Sequence, residues 1–187
     1  MLNFIRKWSA SSQPDAISNL ERQLQVVSIR GRVAYGATCL ETTLTSAATD
    51  TAQFMPLLAC LWEFTSSMDL SEWEEKIMDF YSESVLDNSE EINSLSLESS
   101  QRLRANYAAL STSQLACIDE AIEIGRGNLY GGIVGHSAAT LASTMHLVRY
   151  LQAHGYPLPL IDKFLRSPFS QENQHGWGEP VDRNFFD

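Results

Sequence analysis

The sequence predicts an all-α fold, a single-domain bundle of six or seven helices, and three observations carry that expectation. Apolar residues recur at three- and four-residue spacings over most of the stretch from Pro14 to Gly155. The periodic segments begin at capping residues and end at Gly or Pro. No alternating strand pattern and no internal repeat interrupts them. A chain of 187 residues buries roughly 70% of its unfolded surface, so it folds as one domain without a disulfide or structural metal.

Residues 1–13 form a short polar-basic lead carrying Leu2, Phe4, Ile5 and Trp8. Pro14 opens the first helix, with Asp15 its expected cap. Its stripe of Ile17, Leu20, Leu24 and Val27 continues through Gly31, Ala34 and Thr38 to about Leu44, with a bend expected near Gly31. The small residues Gly31, Ala34, Gly36 and Ala37 leave room for a neighbouring helix. Asp50 or Thr51 caps the second helix, which holds Pro56 in its first turn. Phe54, Met55, Leu57, Leu58, Ala59, Cys60, Leu61, Trp62 and Phe64 make that helix apolar on nearly every side, as a central one is.

The third helix starts with Ser71 and Glu74 as a capping box and packs antiparallel on the second. Trp73, Ile77, Phe80, Tyr81 and Val85 form its apolar face. Residues 87–98 are turn-rich and read as a loop with one helical turn. Ser99 or Ser100 starts a helix bearing Leu103, Tyr107 and Leu110. Ser111 and Gln114 make a second capping box, opening a helix that stops at Gly125 and Gly127. GRGNLYGGIVG is a glycine-rich connector. Ser137 starts the next helix, with stripe Leu141, Met145, Val148 and Leu151, ending at Gly155 and Pro157. The Pro- and aromatic-rich segment 156–187 holds one helical turn, Ile161 to Leu165. Its Phe169, Trp177, Phe185 and Phe186 are too apolar for a free tail, so it wraps back over the bundle.

Charge is concentrated in one place. Glu63, Asp69, Glu72, Glu74, Glu75, Asp79, Glu83, Asp87, Glu90, Glu91 and Glu98 are set against Lys76 alone, so this fifth of the chain carries the whole net charge of −10. A field of one sign is an argument about partners. Glu72, Glu75, Asp79 and Glu83 are spaced to form one ridge. Acids at a helix start are favourable in their own right, which accounts for Asp69, Glu72 and Glu74. It does not account for Asp79, Glu83, Asp87, Glu90 and Glu91, which lie toward or beyond the helix end. The partner-binding candidates are Asp69, Glu72, Glu75, Asp79, Glu83, Asp87, Glu90 and Glu91, facing a basic protein. The same charge argues against nucleic acid as a partner.

Other chemistry is weaker. Gly135, Ser137 and Ala139 give a G-x-S-x-A pattern akin to a hydrolase nucleophile elbow. His146, His154 or His175 then serves as base and Asp162 or Asp182 as orienting acid. That motif needs a strand before the serine and a parallel sheet around it. Ser137 read as a helix cap needs neither. Gly131, Gly132 and Gly135 match neither a phosphate loop nor a dinucleotide fingerprint. His175 lies among Glu172, Glu179 and Asp182 without metal-ligand spacing. Arg30 and Arg32 are expected to face water or pair with acids across the bundle. Cys39, Cys60 and Cys117 sit in apolar helical contexts as buried thiols, which suits a cytosolic chain. No apolar run reaches the length of a membrane span, and MLNFIRKWSASS lacks the apolar core of a secretory leader. No cofactor is expected.

LWEFTSSMDLSEWEEKI, NLYGGIVGHSAATLASTMHLV and LRSPFSQENQHGWGEPVDRNFF resemble the small, acidic, all-helical immunity proteins of bacterial toxin systems, contact-dependent growth inhibition among them. The resemblance is of texture over most of the chain and rests on no diagnostic motif. It implies a cytosolic, non-enzymatic protein that binds and neutralises one cognate toxin domain, most often a nuclease. The alternatives are a small serine hydrolase acting through Ser137, and a helical scaffold whose acids are a solvated face.

Overall fold

The computed structural model describes residues 13–46, 51–87, 92, 95–129, 137–166, 170 and 172–186. Eight α-helices run through them. They are α1 (Gln13–Gln25), α2 (Ile29–Ser46), α3 (Met55–Ser66), α4 (Leu70–Ile77), α5 (Ser82–Asp87), α6 (Leu97–Ala108), α7 (Thr112–Arg126) and α8 (Ala138–Ala153). Short 3-10 turns precede α3, join α4 to α5 and punctuate the C-terminal segment. The described residues contain no strand, only an isolated bridge between Val27 and Ser170. The all-α architecture is as expected. The helix count exceeds six or seven because two expected helices are each broken in two.

The first break lies at Val26–Ser28, not near Gly31. Ser28 Oγ accepts from Gly31 N at 3.2 Å, so the serine restarts the helix and Gly31 sits in its first turn. The carbonyls left at the end of α1 are taken by Arg32, whose Nε donates to Leu24 O (3.0 Å) and Nη2 to Gln25 O (3.1 Å). At the other end, α1 begins at Gln13, two residues before the expected cap Asp15.

The second break comes after Phe80. Tyr81 adopts φ −58°, ψ 144°, and Ser82 begins α5 with its N and Oγ donating to Asp119 of α7 at 2.8 and 2.6 Å. A carboxylate from another helix thus caps α5 in place of the preceding turn.

The core gathers around α2, which packs on α3, α7 and α8 and buries Val33, Ala34, Tyr35, Ala37, Cys39, Leu40 and Leu44. α3 is buried on most sides, but Met55 and Ala59 reach solvent, so α2 is the central helix. The small residues of α2 do admit neighbours. A Cβ on Gly36 would collide with Ile124 Cδ1 of α7 and lie 3.5 Å from Leu147 of α8. α4 packs on α3, with Trp73 Nε1 donating to Cys60 O (2.7 Å) and the Trp73 ring edge-on to Phe64.

Several cap expectations shift. Asp69, not Ser71, caps α4, accepting from Ser71 N (3.0 Å) and Glu72 N (3.2 Å). Glu74 cannot complete the expected box because its carboxylate is drawn to Arg126 of α7 at 3.3 Å. Ser96, not Ser99 or Ser100, caps α6; buried Ser100 instead accepts from Ile92 N at 3.1 Å. Pro56 lies in the first turn of α3, whose cap position is Phe54 with no side-chain bond. Asp50, the other cap considered there, lies outside the described residues. The Ser111–Gln114 box is present in both directions. Ser137 caps α8, and Gly155 follows that helix at φ +68°, where a Cβ is unfavourable. Gly125 stays helical and Gly127 forms the α7 end.

The C-terminal segment returns over α2 and α3. Arg30 N donates to Trp177 O (3.1 Å) and Val181 N to Thr65 O (2.9 Å). Phe186 packs against Trp62 and Phe164, with ring centroids 5.1 and 5.4 Å apart. Phe169 lies outside the described residues. The three cysteines are buried and free. Burial raises all three thiols, Cys60 and Cys117 to about 12. No helix among the described residues is long and apolar enough to cross a membrane.

Candidate protein-interaction surface

The acids of α4 and α5 are sorted by the structure into engaged and unengaged groups. Asp69 is spent on the α4 cap. Lys76 Nζ lies 2.8 Å from Glu63 and 3.0 Å from Glu72, and those two hydrogen bonds raise its pKa. Glu74, 8% exposed, pairs with Arg126. Asp79 is half-buried on the 3-10 turn and has a partner of its own. Glu75, Glu83 and Asp87 are exposed, and among the described residues none has an ion-pair partner. Glu90 and Glu91 lie outside the described residues.

The expected single ridge does not exist. Glu72, Glu75 and Asp79 follow α4 and its turn, whereas the break at Tyr81 sets Glu83 and Asp87 on a separate helix. Glu83 and Asp87 instead line a cleft of about 600 Å³ between α5 and α7, with Met78, Tyr81, Asp119 and Arg126. Sequence reading missed Asp119 and Arg126. Both lie on α7, far along the chain, and only their pairing with Ser82 and Glu74 shows their place.

Arg126 is the base in this cleft, and it is held from three sides. It lies 3.3 Å from Glu74 and 3.5 Å from Glu123, and its guanidinium sits 5.7 Å from the Tyr81 ring centre. Tyr81 OH donates to Glu123. Arg126 is raised above its ordinary pKa, first by its hydrogen bond with Tyr81. With that charge answered by Glu74 and Glu123, the cleft retains the charges of Glu83, Asp87 and Asp119.

Arg30 and Arg32 do not face solvent; both are buried, and Arg30 lies in the field of the Glu179 carboxylate across the bundle. Arg30 is 6% exposed and donates through Nη1 to Phe64 O and through Nη2 to Ser67 O at 2.8 Å. Arg32 is 1% exposed. Besides the α1 carbonyls, its Nη1 reaches Ser137 O and Thr140 Oγ1, both at 2.7 Å. Burial pushes it down to about 10. It joins α1, α2 and the start of α8.

Ser137, the hydrolase candidate, is 1% exposed. Its Oγ donates to Asn128 Oδ1 (2.8 Å) and accepts from Thr140 N (3.1 Å). His146 is bound to Glu120 at 2.7 Å, His154 to Tyr150 O at 2.9 Å, and His175 is exposed in the C-terminal segment. No hydrogen bond among the described residues links Ser137 to any of them. Asp162 and Asp182 are both exposed, Asp182 accepting from Asn184 N. The glycines 131, 132 and 135 lie outside the described residues. Among the described residues no three His, Cys, Asp or Glu converge as a metal-holding group. Compared with known proteins, the chain matches no protein-family model, no curated protein and no solved structure.

Proposed function

We propose that this chain is an immunity protein: a cytosolic, non-enzymatic inhibitor that binds one cognate basic toxin domain, a nuclease in the first instance, through the acidic face built on α4 and α5. The supporting observation is the placement of charge. A net −10 is confined to residues 63–98, and the exposed acids Glu83 and Asp87 border a cleft wide enough for a partner's side chains. Nuclease sites are basic because they hold phosphate, and an acidic face is complementary to them. Charge of one sign also speeds capture, which matters for an inhibitor that must act before damage accumulates.

The test is a rescue experiment. The C-terminal domain of a large secreted protein encoded beside this chain is expressed in bacteria with and without it. Growth restored by the chain, together with a stoichiometric complex on co-purification, is the expected result. Unchanged toxicity and no complex would remove the immunity reading and leave a scaffold with a solvated acidic face.

A further inference from the structure

Residues 172–180 lie between two attachments of the C-terminal segment to the helices. On one side Ser170 bridges Val27. On the other, Val181 N donates to Thr65 O at 2.9 Å, and Thr65 Oγ1 donates back to Val181 O at 3.0 Å. We propose that residues 172–180 form a flap that opens between these attachments while the bundle stays folded, and that its opening uncovers the Arg30 guanidinium. The inference does not depend on the reading of the acidic face.

The backbone of the flap is strained. Gln174 and His175 have φ of +50° and +55°, and Gly176 and Gly178 follow at +101° and +83°. Glycine takes such angles freely. Glutamine and histidine do not, because Cβ crowds the backbone there. Such conformers persist only where the surroundings impose them, and they cluster at segments that switch. Yet both side chains are exposed, and Gln174 Nε2 bonds to Glu179 of the same flap at 3.4 Å, a contact that opening leaves intact. The two glycines flank Trp177 and let the chain swing it.

A second cost lies beneath the flap. Arg30 is 6% exposed, and its Nε is buried without a hydrogen-bond partner. An unmet buried donor is costly, the more so on a charged group. Nη1 and Nη2 are satisfied by Phe64 O and Ser67 O, neither of which belongs to the flap. Opening therefore hydrates Nε without breaking either bond, and it releases the strained turn in the same step.

The contacts that close the flap are few. Arg30 N donates to Trp177 O at 3.1 Å, the half-buried Trp177 ring packs on the core, and Glu179 attracts Arg30. A cleft of about 510 Å³ separates Gln174, His175 and Trp177 from Arg30, Met68 and Leu70, so the flap is not close-packed on what it covers. Loose packing and few bonds mark a segment that opens by itself. Closed, the flap withholds a positive charge from the surface beside the start of α4; open, it displays one.

Native-state hydrogen exchange of the full chain, read by NMR, tests this. The Arg30 amide reports the flap because its acceptor is Trp177 O. The Val181 amide reports the attachment, and the Leu40 amide reports the bundle. Arg30 should be the least protected of the three, by about tenfold or more, and should remain so across low urea. His175→Gly should raise its protection about threefold, the relieved strain outweighing the glycine's extra freedom in the open flap. Gly178→Ala puts a Cβ at φ +83° and should lower that protection by a similar factor. In the Gly178→Ala chain phenylglyoxal should also modify Arg30 faster, by mass spectrometry, while exposed Arg102 reacts unchanged.

Arg30 protection equal to that of Leu40 would show that the flap opens only with the whole bundle, and would overturn the proposal. Protection unmoved by His175→Gly would assign the exchange to fraying of α2 and leave no flap. Faster exchange in Gly178→Ala without faster labelling would show that Arg30 stays covered, and would reject the display of its charge.

Discussion

Glu74 of α4 and Arg126 of α7 stand 3.3 Å apart, an ion pair that ties the two helices together. The Glu74 side chain is 11% exposed and Arg126 34%, so neither charge is fully hydrated. Replacing Arg126 with Met should cost about 1–2 kcal/mol, since a nearly buried carboxylate loses its counter-charge. A double-mutant cycle with Glu74→Gln in urea denaturation should return a coupling of about 1 kcal/mol. Additive losses would show that the pair is not coupled.

Arg32 of α2 holds four acceptors, two at the end of α1 and two at the start of α8, while 1% exposed. Arg32→Met keeps much of the volume and abandons those acceptors. The expected loss is about 3–5 kcal/mol, as for breaking a buried charged network. Arg32→Lys should recover little of it, because an ammonium cannot span the same fork. Melting curves of both variants check this.

Ser111 and Ser137 are both helix caps, but only Ser137 is buried. Ser111→Ala should cost about 1 kcal/mol. Ser137→Ala also strips Asn128 Oδ1 of its donor, and about 2 kcal/mol or more is expected. If Ser137→Ala instead removed a measurable hydrolase activity while leaving the melting temperature unchanged, Ser137 would be a nucleophile and not a cap.

Two helical glycines sit against close neighbours of different stiffness. A Cβ on Gly125 would lie 2.7 Å from Trp73 Cη2 and 3.2 Å from Phe64, two rings already packed on each other. A Cβ on Gly36 would meet the end of the Ile124 side chain, which can turn aside. Gly125→Ala is therefore expected to cost about 1–3 kcal/mol by overpacking, and Gly36→Ala less. The reverse order in chemical denaturation would contradict the packing described.

What the sequence could and could not reveal follows from the range of the interactions. The Ser111–Gln114 box, the Ser137 cap, the Gly155 stop and the buried stripes of α7 and α8 are local, so periodicity and spacing predict them. The breaks after Gln25 and Phe80 depend on Arg32 and Asp119 reaching free backbone groups from elsewhere, and no local pattern records that. The Ser71–Glu74 box fails for the same reason: a distant arginine outcompetes the local partner. Of the acidic surface, composition shows the charge but not its division between two helices. Met68 and Leu70 share a cleft with Trp177, more than a hundred residues later, and spacing cannot bring them together.

The central claim is that unengaged acids on α5 recognise a basic partner. Its most direct test is the salt dependence of binding to the proposed basic partner for two variants. Glu83→Lys with Asp87→Lys reverses the cleft charges; Asp15→Lys with Glu21→Lys reverses two acids outside the cluster. The account predicts that the first variant lowers the association rate at least tenfold at physiological salt, while the second changes it little. The difference should narrow toward 1 M salt, as the screening length falls from about 8 Å to about 3 Å. Equal association rates for the two variants at both salt concentrations would contradict it and reduce the acidic face to solvated surface.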